Sequence, residues 1–225
     1  MPPDPFDAFL DHVAAAIALR PGERAALRAR LRRRELAAGT AWVREGARCD
    51  EVAFVADGLL RVYFLADGDD VTAYFASEGQ TVSDYESFLT RAPSRMTIEA
   101  IAPATLVVLD RGAVEWAYAT LAEGERLGRR IAERLFLATH ARLAAFYLES
   151  AEARYTRLVA EHPDLLQRVP QHTIASYLGV RPQSLSRIRR RLAEAGRAGG
   201  SGAGGSADGG SADGGRGADG GSSPG

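Results

Sequence analysis

Residues 169–192 read VPQHTIASYLGVRPQSLSRIRRRL, and their types and spacing suit one kind of chemistry: hydrogen bonding to the edges of stacked base pairs. Pro170 stands where the first residue of a helix accepts proline, and Ile174, Ala175 and Leu178 then share one apolar face. Gly179 supplies a sharp turn, and Pro182 opens a second helix buried through Leu185 and Ile188. A small residue at 175 lets two helices cross closely, and glycine at 179 permits a left-handed backbone. Any one alanine or glycine would carry no weight. Taken together these positions give the spacing of a helix-turn-helix.

With the second helix in a major groove, the outward residues near its start, Gln183, Ser184 and Arg187, reach base edges. Arginine can bond guanine O6 and N7 through both arms of its fork, and glutamine can do the same to adenine, so Arg187 is the strongest candidate for direct reading. Arg181, Arg189, Arg190, Arg191 and Thr173 suit phosphate contacts, which set affinity and register but carry no sequence information. The competing explanation of such an arginine run is a solvated helix face.

The charge distribution supports the first reading. The 225 residues carry a formal net charge of −1, yet residues 168–197 alone hold +6, against −5 over residues 1–167 and −2 beyond. A neutral total thus conceals a cationic module of the kind that approaches a polyanion. All 28 basic side chains are arginine. With no lysine, the P-loop nucleotidases and every Schiff-base enzyme are excluded. Cys49 is the single cysteine, which excludes an internal disulfide, a CxxC pair, a zinc finger and an all-cysteine iron–sulfur site.

Around this module the chain changes texture several times. Residues 6–31 read as two helices, with Phe6, Phe9, Leu10, Val13 and Ile17 at helical spacing and Pro21 opening the second. Five short apolar runs follow, at 52–56, 59–65, 71–75, 96–101 and 105–109, punctuated by glycine or proline, the signature of an antiparallel sandwich or barrel. Beyond Asp110 the pattern is helical again. Residues 123–149 lack proline and repeat Leu127, Ile131, Leu135, Ala138, Arg142 and Ala145 at steps of three and four. As one helix they would span about 40 Å, more than a small domain needs internally, so the stripe suits an interface with a second copy. Phe136, Leu143, Phe146 and Tyr147 form a second apolar side that would face the strand domain. Residues 196–225 hold 14 of the 24 glycines and read as a flexible tail, either inert or an arm contacting polymerase or DNA.

Short strands, a long interface helix and a C-terminal helix-turn-helix, in that order, resemble the Crp/Fnr family of bacterial transcription regulators. The resemblance covers about residues 5–195. It is carried by VPQHTIASYLGVRPQSLSRIRR and by WVREGARCDEVAFVADGLLRVYF at 42–64, which is similar to the first hairpins of the family's effector domain. It implies an α+β fold with an N-terminal antiparallel, jelly-roll-like β-roll effector domain and its helices over residues 1–122. A dimerisation helix at 123–149 and a helix-turn-helix DNA-binding domain at 150–195 would follow, with a disordered tail at 196–225. It further implies a homodimer on a two-fold symmetric operator in double-stranded DNA with half-sites about 34 Å apart, with RNA polymerase as a further candidate partner. The family's base-reading positions fall on Pro182, Gln183 and Arg187. Proline at the first departs from the arginine common there, so operator preference should differ. The chain also carries GRAGGSGAGG where the family commonly has a winged hairpin.

In this family a cyclic nucleotide is held by a glycine-acid-leucine turn at a helix start, followed by an arginine with serine or threonine on the phosphate. The matching stretch here is GQTVSDYESFLTRAPSR, residues 79–95. Ser83 and Asp84 replace the glycine-acid pair, Tyr85 and Glu86 follow, and Ser94 with Arg95 beside it takes the arginine position. Two acids and a tyrosine in a phosphate cradle would repel an anion and fill its space; Arg91 and Arg95 are the groups that could still rescue binding. These seven residues are the candidate effector pocket, with the effector unknown.

Other chemistries leave weaker marks. His12, His140, His162 and His172 lie on separate elements, so no haem or metal site is expected, and no cofactor. No HExxH occurs, and the matches to GxGxxG, residues 200–205 and 215–220, and to GxSxG, residues 221–225, all sit in the glycine-rich tail with no strand pattern before them, so no enzyme is expected. No apolar run is long enough to cross a bilayer and the N-terminus lacks a signal-peptide pattern, which points to the cytoplasm. The expected function is a dimeric, sequence-specific transcription regulator of the Crp/Fnr type not controlled by cyclic AMP. The alternatives are a small-ligand sensor whose DNA binding is strictly ligand-dependent, and an interaction scaffold with a vestigial helix-turn-helix.

Overall fold

The computed structural model describes residues 4–200, with side chains described through residue 195. Two helices, α1 (Pro5–Ala14) and α2 (Pro21–Arg28), precede strands β1 (Arg32–Leu36), β2 (Ala41–Val43), β3 (Glu51–Asp57), β4 (Leu59–Ala66), β5 (Asp69–Ser77) and β6 (Thr81–Val82). The short helix α3 (Tyr85–Thr90) leads to β7 (Thr97–Ala100) and β8 (Ala104–Asp110). Then come α4 (Arg111–Thr120), the long α5 (Gly124–Leu148), α6 (Ala151–Glu161), α7 (Leu165–Arg168), α8 (Gln171–Tyr177) and α9 (Pro182–Gly200). The chain divides into two compact units, up to Ser186 and from Arg187 onwards.

The strands form two four-stranded antiparallel sheets, ordered β1-β8-β3-β6 and β2-β7-β4-β5. Alternation along β3 and β8 explains how they are layered. Ala53, Val55, Leu106 and Val108 join Trp42, Leu60, Val62 and Ile98 of the second sheet in one buried cluster, the filling of a sandwich. The intervening residues Phe54, Val107 and Leu109 turn the other way, into a cluster with Phe9, Leu10 and Val13 of α1, Val114 of α4 and Leu127 of α5. Because both faces of β3 and β8 are covered, their sequences read as nearly unbroken apolar runs.

The turns obey local chemistry. The two-residue β4–β5 connection, Asp67-Gly68, has positive φ at both positions (53° and 86°), which matches the right-handed twist of a hairpin. Gly58 at the β3–β4 turn has φ 102°, and a Cβ there would lie 2.5 Å from the Pro103 carbonyl oxygen, so only glycine fits. Helix starts are capped as expected: Asp84, Asp110 and Ser150 accept from the N–H groups of Ser87, Ala113 and Ala153.

Helix α5 is buried at its ends and bare in its middle. Leu127 packs into the α1–α4 cluster and Ala145 is buried near the far end, whereas residues 132–141 are exposed throughout. Leu135, Phe136 and Leu137 are 43%, 66% and 64% exposed, an apolar surface left uncovered among the described residues. Phe136, Leu143, Phe146 and Tyr147, expected to face the strand domain, are exposed as well, so the described residues do not cover that second apolar side. Helix α9 extends to Gly200, into the segment assigned to the tail; the rest of that tail lies outside the described residues.

Candidate functional site

Helix α8 ends in the hydrogen-bond pattern of a Schellman motif. The N–H of Val180 donates to Ala175 O (3.0 Å) and that of Gly179 to Ser176 O (3.0 Å), with Gly179 at φ 68°. A Cβ at 179 would also meet Phe146 Cε1 at 2.8 Å, so glycine is required both by backbone hand and by space. Pro170 is the residue before α8 rather than its first, and Pro182 begins α9 as expected. Ile174, Ala175, Leu178, Leu185 and Ile188 are all buried, as the spacing predicts.

The residues assigned to DNA fall into two groups. Arg181, Gln183, Arg187, Arg189, Arg190 and Arg191 are exposed and Ser184 is half-buried; all but Arg181, which precedes it, lie on α9. Gln183 and Arg187 are four residues apart, about one helical turn. Thr173 corrects the sequence reading. It is 4% exposed and its N–H is taken by Pro170 O, so it packs the interior of the motif and is not presented to a phosphate.

The effector stretch is closed on itself. Asp84 is 2% exposed; one of its carboxylate oxygens accepts from Ser87 N (3.1 Å) and the other from Ser94 Oγ (2.6 Å). Ser94, 3% exposed, is pinned in turn by backbone bonds to Gly46 and Ala47. Ser83 Oγ donates to Glu51 O (2.9 Å) and lies 3.4 Å from Cys49 Sγ. The structure does not bring the other four to this point. Tyr85 stacks on Phe88 against the α1–α4 cluster, and Glu86, Arg91 and Arg95 are exposed. Neither arginine therefore offers a cation to the buried serine–aspartate pair.

Sequence reading missed Tyr74, whose hydroxyl is pushed up to about 12, by burial first and then by the negative charge of Asp84 and the neighbouring Cys49. Nothing in a β-strand tyrosine signals such burial beside an acid. It also missed two groups around α8. Arg154 Nη1 donates to Glu149 O (2.6 Å) and Nη2 to Leu178 O (2.8 Å), so one guanidinium caps the C-terminal ends of both α5 and α8. Ser176, on the back of α8, bonds to the backbone of β5.

Residues 33–120 match the cyclic nucleotide-binding domain family, and the β-roll built from β1 to β8 is that domain. The described fold is similar to that of solved Crp/Fnr transcription regulators. It is similar to a putative transcriptional regulator of the Crp/Fnr family from Eubacterium rectale, with 19% identity over 79% of this chain and 85% of that one and a TM-score of 0.64. FixK2 from Bradyrhizobium japonicum matches at 19% identity over 74% and 86%, TM-score 0.62. The c-di-GMP-responsive global regulator CLP of Xanthomonas campestris matches at 15% over 85% and 92%, TM-score 0.60. No curated protein matches in sequence. Among the described residues no helix is long and apolar enough to cross a membrane, and no group of three or more His, Cys, Asp or Glu side chains is placed to hold a metal ion.

Proposed function

We propose that this protein is a dimeric, sequence-specific DNA-binding transcription regulator of the Crp/Fnr type, acting in the cytoplasm and not controlled by cyclic AMP. The observation that carries the reading is the α8–α9 pair, with its apolar residues buried, its turn closed by Gly179 and its cationic residues exposed. Gln183, Ser184 and Arg187 read bases, while Arg181, Arg189, Arg190 and Arg191 hold phosphates. The division of labour follows the sequence: a sensor domain over 1–122, a dimerisation helix at 123–149 and a DNA-binding module at 150–195. RNA polymerase would be the partner through which binding alters transcription.

Two further features support parts of this reading. The bare apolar middle of α5 suits pairing with the same helix of a second copy, which would place two recognition helices on a two-fold symmetric operator. The buried Asp84–Ser94 pair argues against cyclic AMP, since a phosphate would meet a carboxylate already held by Ser87 N–H and the Ser94 hydroxyl, while Arg91 and Arg95 are exposed. No enzymatic role is proposed.

Selection of bound duplexes from a random pool supplies the operator. Against it, four phosphate-contacting arginines per subunit in a dimer give a log–log salt slope near −7. Arg187→Ala should cost about 1 to 3 kcal/mol at the cognate site and relax preference at one base pair. A slope near zero refutes the reading. DNA binding that appears only on adding cyclic AMP replaces it with the ligand-dependent sensor.

A further inference from the structure

In the sheet ordered β2-β7-β4-β5, β5 is the edge strand, so its outward N–H and C=O groups have no neighbouring strand to pair with. Ser176 takes that neighbour's place. Its hydroxyl donates to Asp70 O (2.8 Å) and accepts from Thr72 N (2.9 Å), the carbonyl and N–H two residues apart that face the same side of an extended strand. One side chain of a helix thus makes both bonds that a paired strand residue would make. The strand is shaped for this. A register shift opposite Val62/Tyr63 leaves Ala73 unpaired beside the contact. The buried Arg61 braces it from behind, with Nε on Thr72 Oγ1 and Nη1 on Asp70 Oδ2, both at 2.9 Å.

The same face of the C-terminal segment meets β5 at two more points. Tyr177 packs on Phe75 with ring centroids 5.3 Å apart. Arg168 forks onto Glu78, just past the end of β5, at 2.8 and 3.0 Å. None of these contacts uses a residue assigned to DNA. Arg181 and Gln183 are exposed beside the clasp.

From this geometry we infer that Ser176 is a positioning residue for operator recognition: through β5 it fastens the helix-turn-helix to the sensor domain of its own chain and fixes the angle at which the recognition helix is offered. This deepens the DNA-binding reading above and rests on it. A module free to swing must give up that freedom at each operator; a clasped one has already lost it. Sequence-independent binding, which tolerates many orientations, gains little from the clasp.

The test uses the full chain, with Ser176→Ala to remove the hydroxyl and Ser176→Thr to keep it. Amide exchange at Thr72 reads the clasp without DNA, a thermal melt reads the fold, and titration with the selected operator and a scrambled duplex reads function. We expect Ser176→Ala to speed exchange at Thr72 and to weaken operator binding about tenfold, the scale of one to two lost hydrogen bonds. Binding to the scrambled duplex should move less than twofold, and Ser176→Thr should restore both readouts. Unchanged exchange at Thr72 overturns the clasp. Faster exchange with unchanged operator affinity, an equal loss on both duplexes, or no rescue by threonine overturns the positioning role. A wild-type chain that protects Thr72 yet binds no duplex refutes the DNA-binding reading itself, and the inference falls with it.

Discussion

Gly179 allows two separate physical effects to be measured at one position. Its φ of 68° lies where a side chain is strained, and a Cβ built there meets Phe146 Cε1 at 2.8 Å. The left-handed backbone costs an L-residue about 1 to 2 kcal/mol. The steric part is smaller than the distance alone suggests, because Phe146 is 44% exposed and its ring can yield by the few tenths of an ångström required. About 1 kcal/mol for moving the ring off its rotamer is a fair magnitude. Gly179→Ala should therefore destabilise by about 2 to 3 kcal/mol in urea unfolding, with the midpoint falling and the slope unchanged. In a Phe146→Ala background only the backbone part should survive, so the cost falls to about 1 to 2 kcal/mol and the cycle reports a coupling of about 1 kcal/mol. Gly179→Asn, which tolerates this conformation, should sit between the wild type and alanine. Equal costs in the two backgrounds would refute the Phe146 contact, and a cost below about 0.5 kcal/mol would refute the left-handed turn itself.

Other consequences follow from single groups. Ser94→Ala removes a donor from the buried Asp84 carboxylate and should destabilise the sensor domain by about 1 to 3 kcal/mol; chemical unfolding measures it, and a neutral result would mean that water reaches the site. Glu78 is pulled upward by burial, but hydrogen bonds from Arg168, its own backbone and Gly58 outweigh that and hold it below its ordinary 4.5. Its contribution is therefore fully present above pH 4.5 and is lost as pH falls through the lower folded value. The Gly58 amide resonance, whose N–H donates to Glu78, should titrate with a midpoint below 4.5, and a midpoint at or above that contradicts the arrangement. Leu137→Arg on the exposed middle of α5 should leave the chain folded and shift it from dimer to monomer in sedimentation; an unchanged mass would move the dimer contact elsewhere.

What the sequence disclosed and what it hid follow from how local each signal is. The apolar runs at 52–56, 59–65, 71–75, 96–101 and 105–109 coincide with β3, β4, β5, β7 and β8, because strands covered on one or both faces must be apolar there. β1 left no such mark. Its Arg32-Arg33-Arg34 run lies exposed on an edge strand and is balanced by ion pairs to Glu35, Glu51 and Asp110, so only Leu36 of the strand is buried. The end of α8, the turn at Gly179 and the start of α9 were legible because glycine, proline and periodicity fix them within a couple of dozen residues. The effector stretch was half legible: its acid at 84 is where the sequence placed it, but Tyr85, as the first residue of α3, turns towards the helices. The Ser176 clasp was invisible, since its partners are 104 and 106 residues away and a serine on a short helix announces nothing.

The guanidinium of Arg154 lies where α5 and α8 both end. Two helix C-termini brought together present partial negative charge to each other and would drift apart if left bare. The Arg154 cation between them offsets that charge, beside the Phe146 ring that already meets Gly179. Its two terminal nitrogens lie in one rigid plane, so a single side chain, in a protein built without lysine, holds the spacing between the two helix ends.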